Sequence, residues 1–405
     1  MRNLRVLPQS AIPHVDDRVT VKRSRGLPEL WHFAAEYLLL LPFGAAIALV
    51  WANVHPESYF RSVFALQFWV TDVAMVLFFG LVMKEIVEAT ATGGALHPWR
   101  RAALPVVAAL GLTAVPALLL TVLAPVFGEP MVSKAWPVTF AIDLACGYFV
   151  AMAIFGRHPV LPLFLLLAIA ANALGFVALA PAATATQVQY GTLVGLMAAA
   201  LGAAAVLRRM KTRSFWPYLV VAGGLSWSAL LLGGVHPALA LVPIIPFLPH
   251  AARDPGFFVD APAEAHDTLN AFERWCRLPA QVALFLFALI TAGVPLHALD
   301  DGTWSLPLAI LIGRPVGLFA GVALSHALGL RLPYHVGWRQ LMVVAFITTI
   351  GFTMALFFAT VAIGPGAVLS EVKMGALLTL AGAAIAVAAA RLLGVGRFSR
   401  PAHEN

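Results

Sequence analysis

The sequence predicts an all-α polytopic membrane protein with about twelve transmembrane helices, and three observations predict it. Of 405 residues, 61% are apolar and only 11% charged, with a mean hydropathy of +0.88. A soluble domain is nearer half apolar and a quarter charged. The apolar residues gather into stretches long enough to cross a hydrocarbon core, which takes about 20 residues of helix. The basic residues alternate from one side of those stretches to the other. Disorder is excluded by the apolar content, and a disulfide scaffold by a count of two cysteines.

In chain order, residues 1–26 are polar and basic, with no apolar run after the basic residues. They are expected to be a cytoplasmic tail rather than a cleavable signal. A transmembrane domain is expected over 27–397 and a second cytoplasmic tail over 398–405. The predicted spans are 33–54, 67–89, 102–127, 137–155, 160–182, 188–207, 216–232, 234–249, 279–298, 304–328, 338–362 and 372–396. The longest interruption, 250–278, carries Asp254, Asp260, Glu264, Asp267, Glu273 and Arg274 and reads as a solvated loop dividing the spans eight to four.

Placing the cations tests that count. The N-terminal tail, the even-numbered connections and the C-terminal end hold 21 of the 26 basic residues. The odd connections hold only Arg61, Lys134 and Lys373, while Lys84 and Arg314 lie within spans. An excess of this kind marks the cytoplasmic side and places both termini there. A wrong span count would scramble the alternation. The net charge of +7 is thereby explained by topology, and nucleic acid is not expected as a partner.

Charge inside a bilayer is expensive, so each buried ionisable residue is a functional candidate. Asp143 lies deep in the fourth span (TFAIDLACGYF) and reads either as an ion or proton site or as a structural charge compensating helix ends. Arg314, in ILIGRPVGLF, supplies a fixed cation but cannot shuttle protons, which favours charge compensation. Asp72 sits near one end of the second span, where a snorkelling interfacial acid is the plainer reading. Glu85 and Glu88, with Lys84, form either a solvated helix face or the lip of an ion funnel. His236, in GGVHPALALVP, is a candidate pH sensor or a satisfied interfacial residue. From Leu144 to Arg253 there is no carboxylate at all, so spans five to eight contain none.

Two spans look interrupted. The fourth carries Thr139, Asp143 and Gly147; the eleventh carries Thr348, Thr349, Gly351 and Thr353 at its middle. Inverted-repeat transporters build their sites from such discontinuous helices. Ordinary small-residue helix packing is the alternative. Metalloprotease, phosphate-loop and nucleophile-elbow motifs are missing from the sequence, and the cysteines Cys146 and Cys276 fall on different sides, so no enzyme, cofactor or resident metal is expected.

These residues resemble the NhaA family of sodium/proton antiporters over about 33–396. The segments that carry the resemblance are Asp72 to Phe79 with Glu85, RRAALPVVAALG at 101–112, AIDLA at 141–145, GVHPALA at 234–240, ITAGVPL at 290–296, IGRPVGL at 312–318 and LMVVAFITTIGFTMALF at 341–357. The resemblance implies an inner-membrane antiporter of inverted repeats, with broken helices four and eleven crossing at the midplane. It further implies exchange of Na⁺ or Li⁺ for protons in the service of pH homeostasis. It places Asp143 and Arg314 as the balancing charges of the crossing, His236 at the pH-response position and Glu85 at the funnel. The expected partners are Na⁺ or Li⁺, protons and membrane lipid, with a homodimer as the candidate assembly.

The sequence departs from the family at three places. The family's paired aspartates on the fifth helix are Asn172 and Ala173 here, in LAIAANALGFV. The threonine before the fourth-helix aspartate is Ile142, and the tenth-helix lysine is Arg314. Asn172 offers a carbonyl oxygen but cannot take up a proton. If exchange occurs, Asp143 is the deep carboxylate left to carry protons, with Asn172, Thr348 and Thr349 as neutral oxygen ligands. The alternative is a degenerate homologue without antiport, serving regulation or another solute.

Overall fold

A computed structural model describes residues 40–90, 99–156, 158, 160–182, 189–249, 267–296, 300–330 and 336–399. The predicted tail 1–26, residues 400–405 of the predicted tail 398–405 and most of the acidic loop lie outside these residues. The helices are α1 (Leu40–Val54), α2 (Pro56–Glu88), α3 (Trp99–Val126), α4 (Leu144–Phe155), α5 (Val160–Ala182), α6 (Tyr190–Arg209) and α7 (Gly223–Gly233). They continue as α8 (Thr268–Thr291), α9 (Ser305–Ala327), α10 (Trp338–Thr348), α11 (Phe352–Ala362), α12 (Ala367–Leu378) and α13 (Ala381–Leu393). Among the described residues, seven helical spans are long and apolar enough to cross a membrane, or nine when each of two bent pairs counts as one. The first pair joins a 3₁₀ segment, Pro130–Phe140, to α4 at 63°; the second joins α10 to α11 at 49°. These pairs are the fourth and eleventh predicted spans, and both are broken as expected.

Eleven of the twelve predicted stretches are helices or bent helix pairs. The eighth, 234–249, is not an α-helix and corrects the expectation. Pro237, Pro243, Pro246 and Pro249 remove the N–H donors that an α-helix needs at close intervals. The segment instead advances by i to i+3 bonds, among them Ala240 N to Pro237 O (3.0 Å), Val242 N to Leu239 O (3.0 Å) and Leu248 N to Ile245 O (3.0 Å). It still runs the length of a span. Gln189 N, at the start of α6, donates to Gly233 O, whereas Arg208, at the far end of α6, donates to Pro246 O at 2.7 Å. Thirteen residues at a 3₁₀ rise cover about 26 Å, close to the roughly 30 Å of a 20-residue α-helix. Ala238, Leu241, Ile244 and Ile245 are buried, which is where irregular backbone is tolerated at membrane depth.

The ninth stretch also begins earlier than predicted. Asp267 caps α8 by accepting from Asn270 N at 2.8 Å, so Glu273, Arg274 and Arg277 lie on the helix rather than in a loop. Their charges, with Pro279 inside the helix, interrupt the apolar run and conceal the start.

Glu129, Gly302 and Glu371 belong to three odd connections and meet at one end: a Cβ built on Gly302 would touch Glu371 Oε2 and Glu129 Cβ. Lys84, Glu88 and Glu273 meet at the other. Between these ends, α3 and α9 cross in direct backbone contact. Added methyls at Gly111 and Gly317 would each collide with the other's carbonyl oxygen, and Gly313 and Gly321 lie equally close to Pro116 and Ala108. Small residues at a four-residue spacing permit this approach.

Candidate functional site

Each broken span leaves backbone groups that a continuous helix would have paired. In a low-dielectric interior those groups need other partners. Following each one locates the site.

The first break comprises Ala141, Ile142 and Asp143, with Ala141 and Asp143 in extended conformation. Asp143 N donates to Ile350 O, in the second break, at 2.8 Å. The two breaks therefore touch backbone to backbone. Ile142 is held at both of its polar groups by Asn172 on α5: its N–H donates to Asn172 Oδ1 at 3.0 Å, and its carbonyl accepts from Asn172 Nδ2 at 2.8 Å.

Asp143 serves two helix starts at once. Its Oδ1 accepts from Cys146 N at 2.9 Å, which caps α4. Its Oδ2 accepts from Thr353 N at 3.1 Å and Thr353 Oγ1 at 2.6 Å, in the first turn of α11. One carboxylate thus faces two positive helix ends, the arrangement helix dipoles favour. The remaining free donors of the second break, Gly351 N and Phe352 N, go to Thr379 Oγ1 at 3.1 and 3.2 Å.

Arg314, on α9 and wholly buried, answers the opposite polarity. Its Nη2 donates to Thr139 O at 3.0 Å and Ala141 O at 2.6 Å, the carbonyls that end the 3₁₀ segment. Its Nε and Nη1 have no hydrogen-bond partner.

A cavity of about 160 Å³ leads away from Asp143. Asp143, Cys146 and Thr353 line its inner end, and Glu85, Glu273 and Arg277 its outer end. At that mouth Lys84 is ion-paired with three carboxylates: Glu88 at 2.7 Å, Glu273 at 2.8 Å and Glu85 at 3.3 Å. Three acids against the Lys84 ammonium and the Arg277 guanidinium still leave a negative surplus, which attracts cations into the cleft. Glu85 is therefore brought to the same cavity as Asp143.

Asp72 and His236 are brought together elsewhere. Asp72 lies in a π-helical turn of α2, Phe68–Ala74, a distortion that recurs at functional sites. His236 Nε2 stands 3.9 Å from Asp72 Oδ1, and its Nδ1 accepts from Ala238 N, so the proton of the neutral ring is on Nε2. Trp227 Nε1 donates to Asp72 O, and the His236 ring lies edge-on to Phe357 at 5.3 Å.

The other predicted site residues have local roles. Thr348 and Thr349 donate to Ala345 O and Phe346 O of their own helix, each at 2.6 Å. Ala173, half-buried, adds no polar group beside Asn172. Residues missing from the predicted set are Thr353, Thr379, Cys146, Glu273 and Arg277. Thr353 follows Gly351 directly after the break, where a helix start needs a cap. Glu273 was concealed with the start of α8.

A family model described as Na⁺/H⁺ antiporter 1 matches residues 32–392. Similar proteins include "Na(+)/H(+) antiporter NhaA 1" of Pelobacter propionicus, 38% identical over 380 residues, covering 90% of this chain and 98% of that protein. "Na(+)/H(+) antiporter NhaA" of Desulfitobacterium hafniense is 37% identical over 380 residues, covering 90% and 96%. Among solved structures, the sodium proton antiporter MjNhaP1 from Methanocaldococcus jannaschii at pH 8 superposes with a TM-score of 0.56 at 13% identity, over 87% of this chain and 92% of that one. This last likeness concerns the fold.

Proposed function

The chain belongs to the Na⁺/H⁺ antiporter 1 family, and from that premise we propose that it is a secondary transporter exchanging Na⁺ (or Li⁺) for protons across the bacterial cytoplasmic membrane. The observation that carries the reading is the cavity joining the acidic mouth at Glu85 and Glu273 to Asp143 at the crossing of the broken helices. An ion entering at the mouth meets a buried carboxylate with the Thr353 hydroxyl beside it, and such hard oxygens suit a small hard cation. Ion and proton compete for that carboxylate, and alternating access follows without a nucleotide or covalent step. The reading makes the protein a transporter and not an enzyme. The excess of cations on the even connections supports both termini in the cytoplasm.

Asp143 is the pathway residue, with Thr353 as its oxygen neighbour, Arg314 as the fixed counter-charge, Glu85 at the funnel and Asp72 with His236 as the pH-responsive pair. Asn172 acts here chiefly as the clamp on Ile142.

A second reading, a homologue that has lost exchange, is favoured by one observation. The fifth helix carries Asn172 and Ala173, and the Asp143 carboxylate already accepts three hydrogen bonds. The deciding experiment reconstitutes the full chain in proteoliposomes and titrates Na⁺, Li⁺ and K⁺ while following ΔpH. Collapse of ΔpH on adding Na⁺ or Li⁺, lost in Asp143→Asn, supports exchange. No cation-dependent proton movement at any pH overturns it.

A further inference from the structure

Glu371, in the first turns of α12, is 97% buried at the end of the protein opposite the Glu85 cavity. Its Oε2 has no hydrogen-bond partner, nor has the Oγ1 of neighbouring Thr303, which is 99% buried. The carboxylate is seated against the backbone of Gly302: a Cβ added there would collide with Glu371 Oε2 and with the Cβ and Cγ of Glu129. Glycine is what leaves room for the acid. The α12 backbone closes the seat from the other side, with Gly375 against Thr303 O.

The charged surroundings do not neutralise it. Glu129, from the start of the 3₁₀ segment, and Asp300, from the turn before α9, are its electrostatic neighbours, and both are acids. Asp301, beside Asp300, is exposed and also acidic. Lys134, in the 3₁₀ segment that follows Glu129, is exposed. Lys373 lies two residues along α12, on a different face of the helix. A buried acceptor without a donor, ringed by further acids, is stable only when a cation neutralises it.

We propose that Glu371, beside the buried Thr303 hydroxyl, forms a second cation seat that holds a proton and exchanges it for Na⁺. The transporter reading supplies only the identity of the competing ion; the seat itself follows from the orphaned oxygens. A single carboxylate with a hydroxyl is a seat for one small monovalent ion, and no cluster of three or more metal-ligating side chains forms among the described residues. The position has a use. Glu371 and Gly375 on α12 and Thr379 at its C-cap follow one another at four-residue steps, and Thr379 caps the second break. Eight residues of helix cover about 12 Å. Occupancy of the seat therefore bears on the helix that holds the crossing.

The test needs no transport. The purified full chain is melted in detergent from about pH 5 to about pH 9, a window that brackets buried carboxyls, with NaCl or with choline chloride. In choline, the wild-type melting temperature falls as the pH rises, and Na⁺ restores it at the alkaline end. Glu371→Gln, which mimics the protonated acid, flattens the fall and shrinks the restoration to what Na⁺ at Asp143 supplies. Thr303→Val keeps the pH dependence and weakens the Na⁺ response. The proposal is overturned if Glu371→Gln shows the wild-type pH dependence and Na⁺ response, or melts lower than wild type at alkaline pH in choline. A protein that moves no protons in proteoliposomes yet gives the expected melting series would sink the exchange reading and leave the seat standing.

Discussion

The two broken spans solve the same problem in different ways. The first break is held by side chains remote in sequence, Asn172 on α5 and Arg314 on α9, and it supplies the charge of Asp143 itself. The second break is neutral, and its freed N–H groups go to Asp143 and to Thr379, one element downstream. The first break thus organises the crossing, and the second is fitted to it. A carboxylate that caps both α4 and α11 ties the position of one half-helix to that of the other.

Substitutions at four positions test this division, from largest effect to smallest. Asp143→Ala leaves Cys146 N, Thr353 N and the Thr353 hydroxyl without an acceptor, at about 1–3 kcal/mol for each buried group. The expected result is the largest fall in melting temperature of the series together with loss of any exchange. Asn172→Ala strands the N–H and carbonyl of Ile142 at a similar cost per group, so it should destabilise by roughly two such groups. Asn172→Asp keeps the acceptor for Ile142 N and should be milder. If the alanine variant is as stable as wild type, the clamp is not what holds the first break.

Thr379→Val, nearly isosteric, removes the acceptor of Gly351 N and Phe352 N and should cost about 1–2 kcal/mol. Because only the second break depends on it, hydrogen exchange should quicken at α11 and not at α4. Arg314→Met should have the smallest effect on stability, about 1 kcal/mol. It unpairs two carbonyls but also removes a buried charge with two unpartnered N–H groups, and apolar replacements of buried charges are often close to neutral. Were Arg314→Met to destabilise more than Asp143→Ala, the ranking of the two charges would be reversed.

Much of this was legible in the residues. Asp143 and Arg314 stand out as charges in apolar stretches, and the polar, glycine-bearing middle of the eleventh span marks a break. The roles of Asn172 and Thr379 were not legible, because nothing local in a sequence says which distant backbone groups are orphaned. Asn172 reads as a ligand until Ile142 is seen against it. The eighth crossing exposes another limit: a hydropathy window registers apolar content, while the prolines decide between an α-helix and a 3₁₀ path of similar reach. Glu371 was missed because it sits just before a predicted span, where an acid looks solvated.

The glycine contact between α3 and α9 has a mechanical consequence. Side chains between helices act as a compliant layer that lets them creep past each other. Where Gly111 and Gly317 meet backbone to backbone, that layer is missing. The two helices form one stiff beam, with Arg314 fixed to it three residues from the weld. Any rearrangement that reverses the direction of opening has to bend elsewhere, and the residues outside the helices, 141–143 in the first break and 350–351 in the second, are the joint with the least material to resist it.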